Sequence, residues 1–256
     1  MKKHTAKEAV KIIIATAKDY NRLLENKNFI FIYRNRLNNQ IEYFETVFLP
    51  RHFQHLCGVD YINPDNGKVI HNSTDFYNRT LNNELSHKEI KLREDGTTNL
   101  KLEALPKLVS FVQFSKITVA YNGCRPRLSV ERLVGTTNYC LGFSKEGKYY
   151  MPSSCLLEDI RNLGDHPSQI LAVLSKKNNA SEQVYSEIRY VAKGVPLNKI
   201  KMSNNLNQMI NLSNYKGKKR NQFVGDYNAK RYPVSHKLIP LVFVSPRHQQ
   251  SVKCHQ

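Results

Sequence analysis

The hydrophobic period changes near Lys116, from mainly helical to mainly strand-like, and that change restricts the fold more than any other feature. Before it, apolar residues recur at helical spacing: Ala9, Val10, Ile13, Ile14 and Ala17, then Leu105, Leu108, Val109, Phe111 and Val112. After it, Ile117, Val119 and Tyr121 alternate, and short apolar tracts follow, separated by Asn122-Gly123, Lys145-Glu146-Gly147 and Asn178-Asn179. The first pattern is that of amphipathic helices and the second that of half-buried strands. An α+β plan results, with a helix-rich N-terminal half ahead of a small antiparallel sheet.

Local signals place the elements. Thr5 and Glu8 form a capping box that opens a helix over residues 5–25. Residues 29–33 and 41–48 are two β-rich tracts joined at Asn38-Asn39, which predicts a hairpin. Pro50 and Gly58 bracket a short helix ending at Cys57. Ser73 or Thr74 opens a helix reaching about Leu85, and Pro106 marks the start of one running to Phe114. Four or five strands follow, with a helix over residues 155–162 inserted after Ser153 and Ser154, and Leu238 to Val244 returns as one more strand. Three regions are expected: an N-terminal helix (1–27), a central domain (28–195) and a basic C-terminal extension (196–256).

The charge is uneven. The chain carries a net +18, and the residues from Val191 to Gln256 hold 12 Lys/Arg against one acid, Asp226, which is +11 of that total. Such a segment favours a polyanion, because neutralised phosphates release counterions. Lys216, Lys218, Lys219, Arg220, Lys230 and Arg231 are the candidate nucleic-acid-binding residues. Tyr215, Phe223, Tyr227 and Tyr232 lie among them, and their ring faces can stack on bases. A solvated basic tail with incidental tyrosines is the plainer reading.

Several classes are disfavoured. No apolar run reaches the roughly 18–20 residues that span a bilayer, and the basic stretch has no strong apolar face, so no membrane partner is expected. The start of the chain has no clean apolar core of a signal peptide, and the five cysteines are odd in number and widely spaced, which suits a reducing, cytoplasmic setting. No P-loop, dinucleotide fingerprint, nucleophile elbow or H-E-x-x-H occurs. Acids are few, so neither a metal nor another cofactor is expected, and any nuclease chemistry should rest on side-chain acids and bases.

RNA supplies its own 2′-OH nucleophile. Cleavage needs a base, an acid and cations for the charge developing on phosphate. His55 is the first candidate, because its helix turns it away from the face of Phe53, Leu56 and Cys57. An ordinary polar position on a short helix is the competing reading. Lys176, Tyr185 and Arg189 are polar residues among apolar neighbours on the last two strands. Alternation sets Tyr185, Glu187 and Arg189 on one face, which can line a phosphate cleft or simply face water. Ser154 sits where a helix is expected to begin, either as a cap or presenting a hydroxyl to phosphate.

The segment Phe48-Leu49-Pro50-Arg51-His52-Phe53-Gln54-His55-Leu56-Cys57-Gly58-Val59 resembles the F-x-H-L-T-G signature of a phage-borne group in the Barnase–EndoU–Colicin–RelE-like nuclease superfamily. Tyr149 to Asp159 is similar to that group's Y-x-P-x-S-L-L step, and residues 170–177 with 185–193 to its closing strand pair. The resemblance spans about residues 28–195. It implies a small antiparallel sheet packed with helices, and RNA cleavage without metal. His55 would be the family's histidine, and Lys176, Tyr185 and Arg189 would be its phosphate-facing partners by position. Cys57 stands where the pattern has Thr.

The expected function is therefore a metal-independent ribonuclease or toxin-like effector of a phage or mobile element, with RNA as partner. The alternative is an inactive module that binds nucleic acid or a host protein, such as an anti-CRISPR-like inhibitor; a host or inhibitor protein is the further candidate partner.

Overall fold

The computed structural model describes residues 3–94, 96–123, 128–179 and 181–215. The expected strand at Leu238–Val244 lies outside them. Helix α1 (Ala6–Leu23) starts at the expected capping box, with Thr5 and Glu8 each accepting from the other's backbone N–H. It leads into the hairpin of β1 (Lys27–Arg34) and β2 (Ile41–Val47). A 3-10 turn (Pro50–His52) then runs into α2 (Phe53–Cys57), which is followed by β3 (Val59–Tyr61), α3 (Ser73–Leu81) and β4 (Ile90–Leu92). Next come α4 (Thr97–Ala104), a 3-10 stretch (Leu105–Ser110) and α5 (Phe111–Phe114). The strands β5 (Ile117–Ala120), β6 (Arg132–Gly135), β7 (Cys140–Glu146), β8 (Tyr149–Leu156), β9 (Ser168–Lys177) and β10 (Glu187–Val191) follow, and then α6 (Asn204–Met209).

The sheet is large, not small. Among the described residues it has eight strands in the order β1-β2-β8-β7-β6-β5-β9-β10, and β1 also pairs with β9. Strands β1, β2, β8, β7, β6, β5 and β9 therefore close a circuit. The N-terminal half is not purely helical either, because the β1–β2 hairpin belongs to this same sheet. Pairing is antiparallel except at β2–β8, where Glu45 and Thr46 meet Tyr149 and Tyr150 in parallel. The β5–β9 seam is equally short, with Ile117 and Thr118 opposite Gln169 and Ser168. β3 and β4 form a separate two-stranded ribbon.

Side-chain alternation gives the sheet two faces. One carries Phe29, Phe31, Phe44, Leu141, Phe143 and Val173, which pack with the helical layer of α1, α2 and α3 in the main core. The other carries Ile30, Ile32, Ala172 and Leu174, covered by Leu197, Met202, Leu206 and Ile210. The segment placed at the start of a basic extension thus contributes buried apolar residues to the body of the fold.

Three local expectations change. The helix expected at residues 155–162 is the end of β8, with Cys140 opposite Leu156 and Leu141 opposite Cys155; only Ile160–Asn162 turn as 3-10 helix. Ladder bonding to β7 and complete burial of Cys155 outweigh the local pattern. Pro106 stands in the first turn of a helical stretch reaching Phe114, as expected, but that stretch opens as 3-10 helix (Leu105–Ser110) and continues directly from α4. Asn72, and neither Ser73 nor Thr74, caps α3, which ends at Leu81 and not Leu85.

Phe48 joins the layers, touching the rings of Tyr20, Phe29, Phe111 and Phe143 while fully buried. Phe48→Ala is expected to lower unfolding stability by about 3–5 kcal/mol, read from urea titration.

Candidate nucleic-acid-cleaving site

The surroundings of His55 follow from how α2 ends. Phe53, Leu56 and Cys57 are buried, while His55 is exposed on the opposite side. Gly58 stops the helix at φ +67°, a left-handed conformation that costs glycine little. It also leaves room for a neighbour, since a Cβ there would lie 2.6 Å from Cδ of Lys101. Lys101, on α4, lies across the helix end and donates from Nζ to the His55 carbonyl oxygen at 2.8 Å. Arg93 is held nearby by Asp60, with Nε and Nη2 each 3.0 Å from Oδ1. Partial burial, then Lys101, then Arg93, push the His55 pKa below its ordinary value. The ring is therefore neutral near pH 7 and can take a proton.

His52, three residues earlier, has a different role. It is buried, its Nδ1 accepts from the Leu49 N–H at 3.3 Å, and Nε2 has no partner among the described residues. Burial, Arg51 and His55 push its pKa down to about 4. Tyr20 donates to the Leu49 carbonyl at 2.9 Å, so α1 and His52 together fix the entry into α2.

The other expected site residues are dispersed. Tyr185 is fully buried, in the apolar cluster with Ile30 and Leu174, and its hydroxyl donates to Glu45 Oε2 at 2.6 Å. Burial and that bond raise its pKa far above the ordinary tyrosine range. Lys176 stays with it, its Nζ 5.0 Å from the Tyr185 ring centroid and bonded to the Gln183 carbonyl at 3.0 Å. Arg189 turns to the opposite face. Its Nε donates to Ser175 Oγ at 2.8 Å, and it pairs with Glu187. Tyr185 precedes β10 and bridges to Ile210 instead, which separates it from Glu187 and Arg189. The single shared face read from alternation is thus not formed. Ser154 is a buried strand residue opposite Gly142. Its neighbour Cys155 points to the Leu56 carbonyl, so Ser154 faces away from α2. Lys216, Lys218, Lys219, Arg220, Lys230 and Arg231 lie outside the described residues.

Sequence reasoning missed Lys101 and Arg93. Both are far from His55 in the chain, and no local pattern connects them to it. It also missed Arg132, whose guanidinium sits 5.2, 4.8 and 5.5 Å from the ring centroids of Tyr33, Phe44 and Tyr150. A cavity of about 310 Å³ opens there, with Glu42, Thr118 and Ser168 in its lining. Burial and the hydrogen bond to Glu42 raise Tyr33 to about 12 despite Arg132. Among the described residues no group of three or more His, Cys, Asp or Glu is placed to hold a metal ion, and no helix is long and apolar enough to cross a membrane.

The family model described as phage-Barnase-EndoU-ColicinE5/D-RelE like nuclease 4 (PBECR4) matches residues 12–194. The chain belongs to that nuclease family, and a nucleic acid is its substrate class. No curated protein matches it. No solved structure matches it either.

His52 ties stability to pH. Its folded-state pKa is lowered, so the unfolded chain binds the proton first as pH falls. Stability should be full above about pH 6.5 and decline as the medium is acidified toward pH 4, by on the order of 3 kcal/mol from this group. His52→Asn retains an acceptor for the Leu49 N–H and should flatten that slope in chemical unfolding measured across the range.

Proposed function

We propose that this protein is a ribonuclease that cuts RNA without a metal, by attack of the 2′-OH on the adjacent phosphate, with His55 as its acid/base residue. The observation that carries this reading is an exposed imidazole with Lys101 bonded at its own backbone carbonyl, and with Lys101 and Arg93 both lowering its pKa. In the first step the neutral ring takes the 2′-OH proton as oxygen attacks phosphorus. The P–O5′ bond breaks, the proton taken up by His55 passes to the leaving O5′, and a 2′,3′-cyclic phosphate forms. Lys101 and Arg93 bring positive charge to the side on which the phosphate gains negative charge. Lys176, Tyr185, Arg189 and Ser154 take positioning and packing roles in this reading, because their polar atoms are bonded within the fold or buried. Within the family, the Phe53–Gly58 step aligns the chain with the group marked by F-x-H-L-T-G, and a phage or mobile-element effector is the setting it suggests. Lys216, Lys218, Lys219, Arg220, Lys230 and Arg231 then grip the substrate through phosphate neutralisation.

Labelled RNA and DNA incubated with the protein in EDTA provide the test. RNA alone should be cut, leaving a 2′,3′-cyclic phosphate. His55→Ala should lower cleavage by about 10²–10⁴-fold with binding retained. Undiminished cleavage by that variant removes the assignment, and binding without product from the unaltered protein supports a pure binder.

The pH profile adds an independent check. Activity that depends on the basic form of His55 should rise with pH along a limb centred below the ordinary imidazole value of about 6.5. Lys101→Met removes a charge that depresses this pKa and should move the limb upward.

A further inference from the structure

A second cleft lies away from His55. It has a volume of about 810 Å³, within the roughly 300–1,000 Å³ usual for ligand sites. One wall is the end of the β1–β2 hairpin, with Arg34, Asn39, Gln40 and Ile41; the other is the segment from Gly194 to Ser203. Its charged lining residues among those described are Arg34, Lys199 and Lys201, with no Asp or Glu among them. Glu42, next to Ile41 in the chain, points to the other face and is bonded to Tyr33 and Asn35. Asp226 is the one acid from Val191 to the end of the sequence, so the second wall has none to offer.

The walls are held in place from beneath. Leu197 and Met202 are buried in the apolar cluster on this face. Tyr215 donates to the Val195 carbonyl at 3.2 Å and accepts from the Leu197 N–H at 3.4 Å. Ser203 Oγ accepts from the Leu206 N–H. Lys199 ends a 3-10 turn (Leu197–Lys199), Ile200 is extended beyond it (φ −75°, ψ 126°), and Lys199 and Lys201 both line the cleft. All three cations have exposed side chains.

We infer that this cleft binds the phosphodiester backbone of single-stranded RNA, as a gripping site separate from the cutting site. A preformed cleft with three cations and, among the described residues, no counter-charge suits a polyanion, and the half-buried Ile41 and Ile200 offer apolar surface to the sugar and base edges. The inference rests on the proposed RNA substrate, but it does not depend on His55 chemistry.

The test compares two triple variants in the full-length His55→Ala chain, so that binding is read without turnover. R34E/K199E/K201E alters the cleft. K7E/K11E/K18E makes the same change in net charge on the exposed face of α1. Affinity for a labelled single-stranded RNA is measured by anisotropy between about 50 and 200 mM salt. The cleft variant should bind about tenfold or more weakly, and its log–log salt slope should shrink by about 2, as expected for three lost phosphate contacts at roughly 0.7 each. The helix variant should keep its affinity within about twofold. Equal losses in both, or none in the cleft variant, overturn the inference. Matching unfolding midpoints exclude misfolding; if the cleft variant is destabilised, R34Q/K199Q/K201Q is read for the same change in slope. Absence of cleavage by the unaltered chain would refute the catalytic reading while leaving this measurement intact.

Discussion

Backbone hydrogen bonding along both edges of β9 holds this fold together. One edge pairs with β1 over nearly its whole length, and the other is shared by β5 and β10. A strand bonded on both edges and covered on both faces has to be apolar almost throughout, and residues 170–175 are buried without a break. A register shift beside Ile32 and Tyr33 changes the alternation, so that Ile170 and Val173 face the main core while Ala172 and Leu174 face the second one. This arrangement places Tyr185 and Lys176 on one face and Arg189 on the other. The closing seams at β2–β8 and β5–β9 are only two residue pairs long.

The chemistry of the His55 site depends on a helix that ends early. Gly58 terminates α2 in a conformation that leaves space for the stem of Lys101, and the ammonium then reaches the carbonyl of His55 itself. A cation bonded at the backbone of a histidine disfavours protonation of its ring, which suits a base that works near neutral pH. His52 shows what the same side chain does once enclosed. It keeps one hydrogen bond, remains neutral until the medium is strongly acidic, and orders the turn that presents its neighbour.

Positive charge gathers at two places, beside His55 and in the cleft of Arg34, Lys199 and Lys201. Arg34 belongs to the hairpin and Lys199 and Lys201 to a loop about 165 residues later, yet the apolar cluster beneath them brings the two together. With no acid between Val191 and Asp226, that loop lacks the local ion pairs that would neutralise it.

The sequence by itself determined the capping box of α1, the hairpin, the short helix between Pro50 and Gly58 and the exposure of His55, because each depends on neighbours within a few residues. The Barnase–EndoU–Colicin–RelE-like nuclease superfamily was legible as well, from the short motifs at residues 48–59 and 149–159. Tertiary structure alone decided the size and closure of the sheet, the strand fate of Ser154, the splitting of Tyr185 from Arg189, and the meeting of Lys101 and Arg93 with His55. These depend on pairing register and on contacts across tens of residues. Periodicity reports which side of an element is apolar, but it carries no information about which distant element will cover that side.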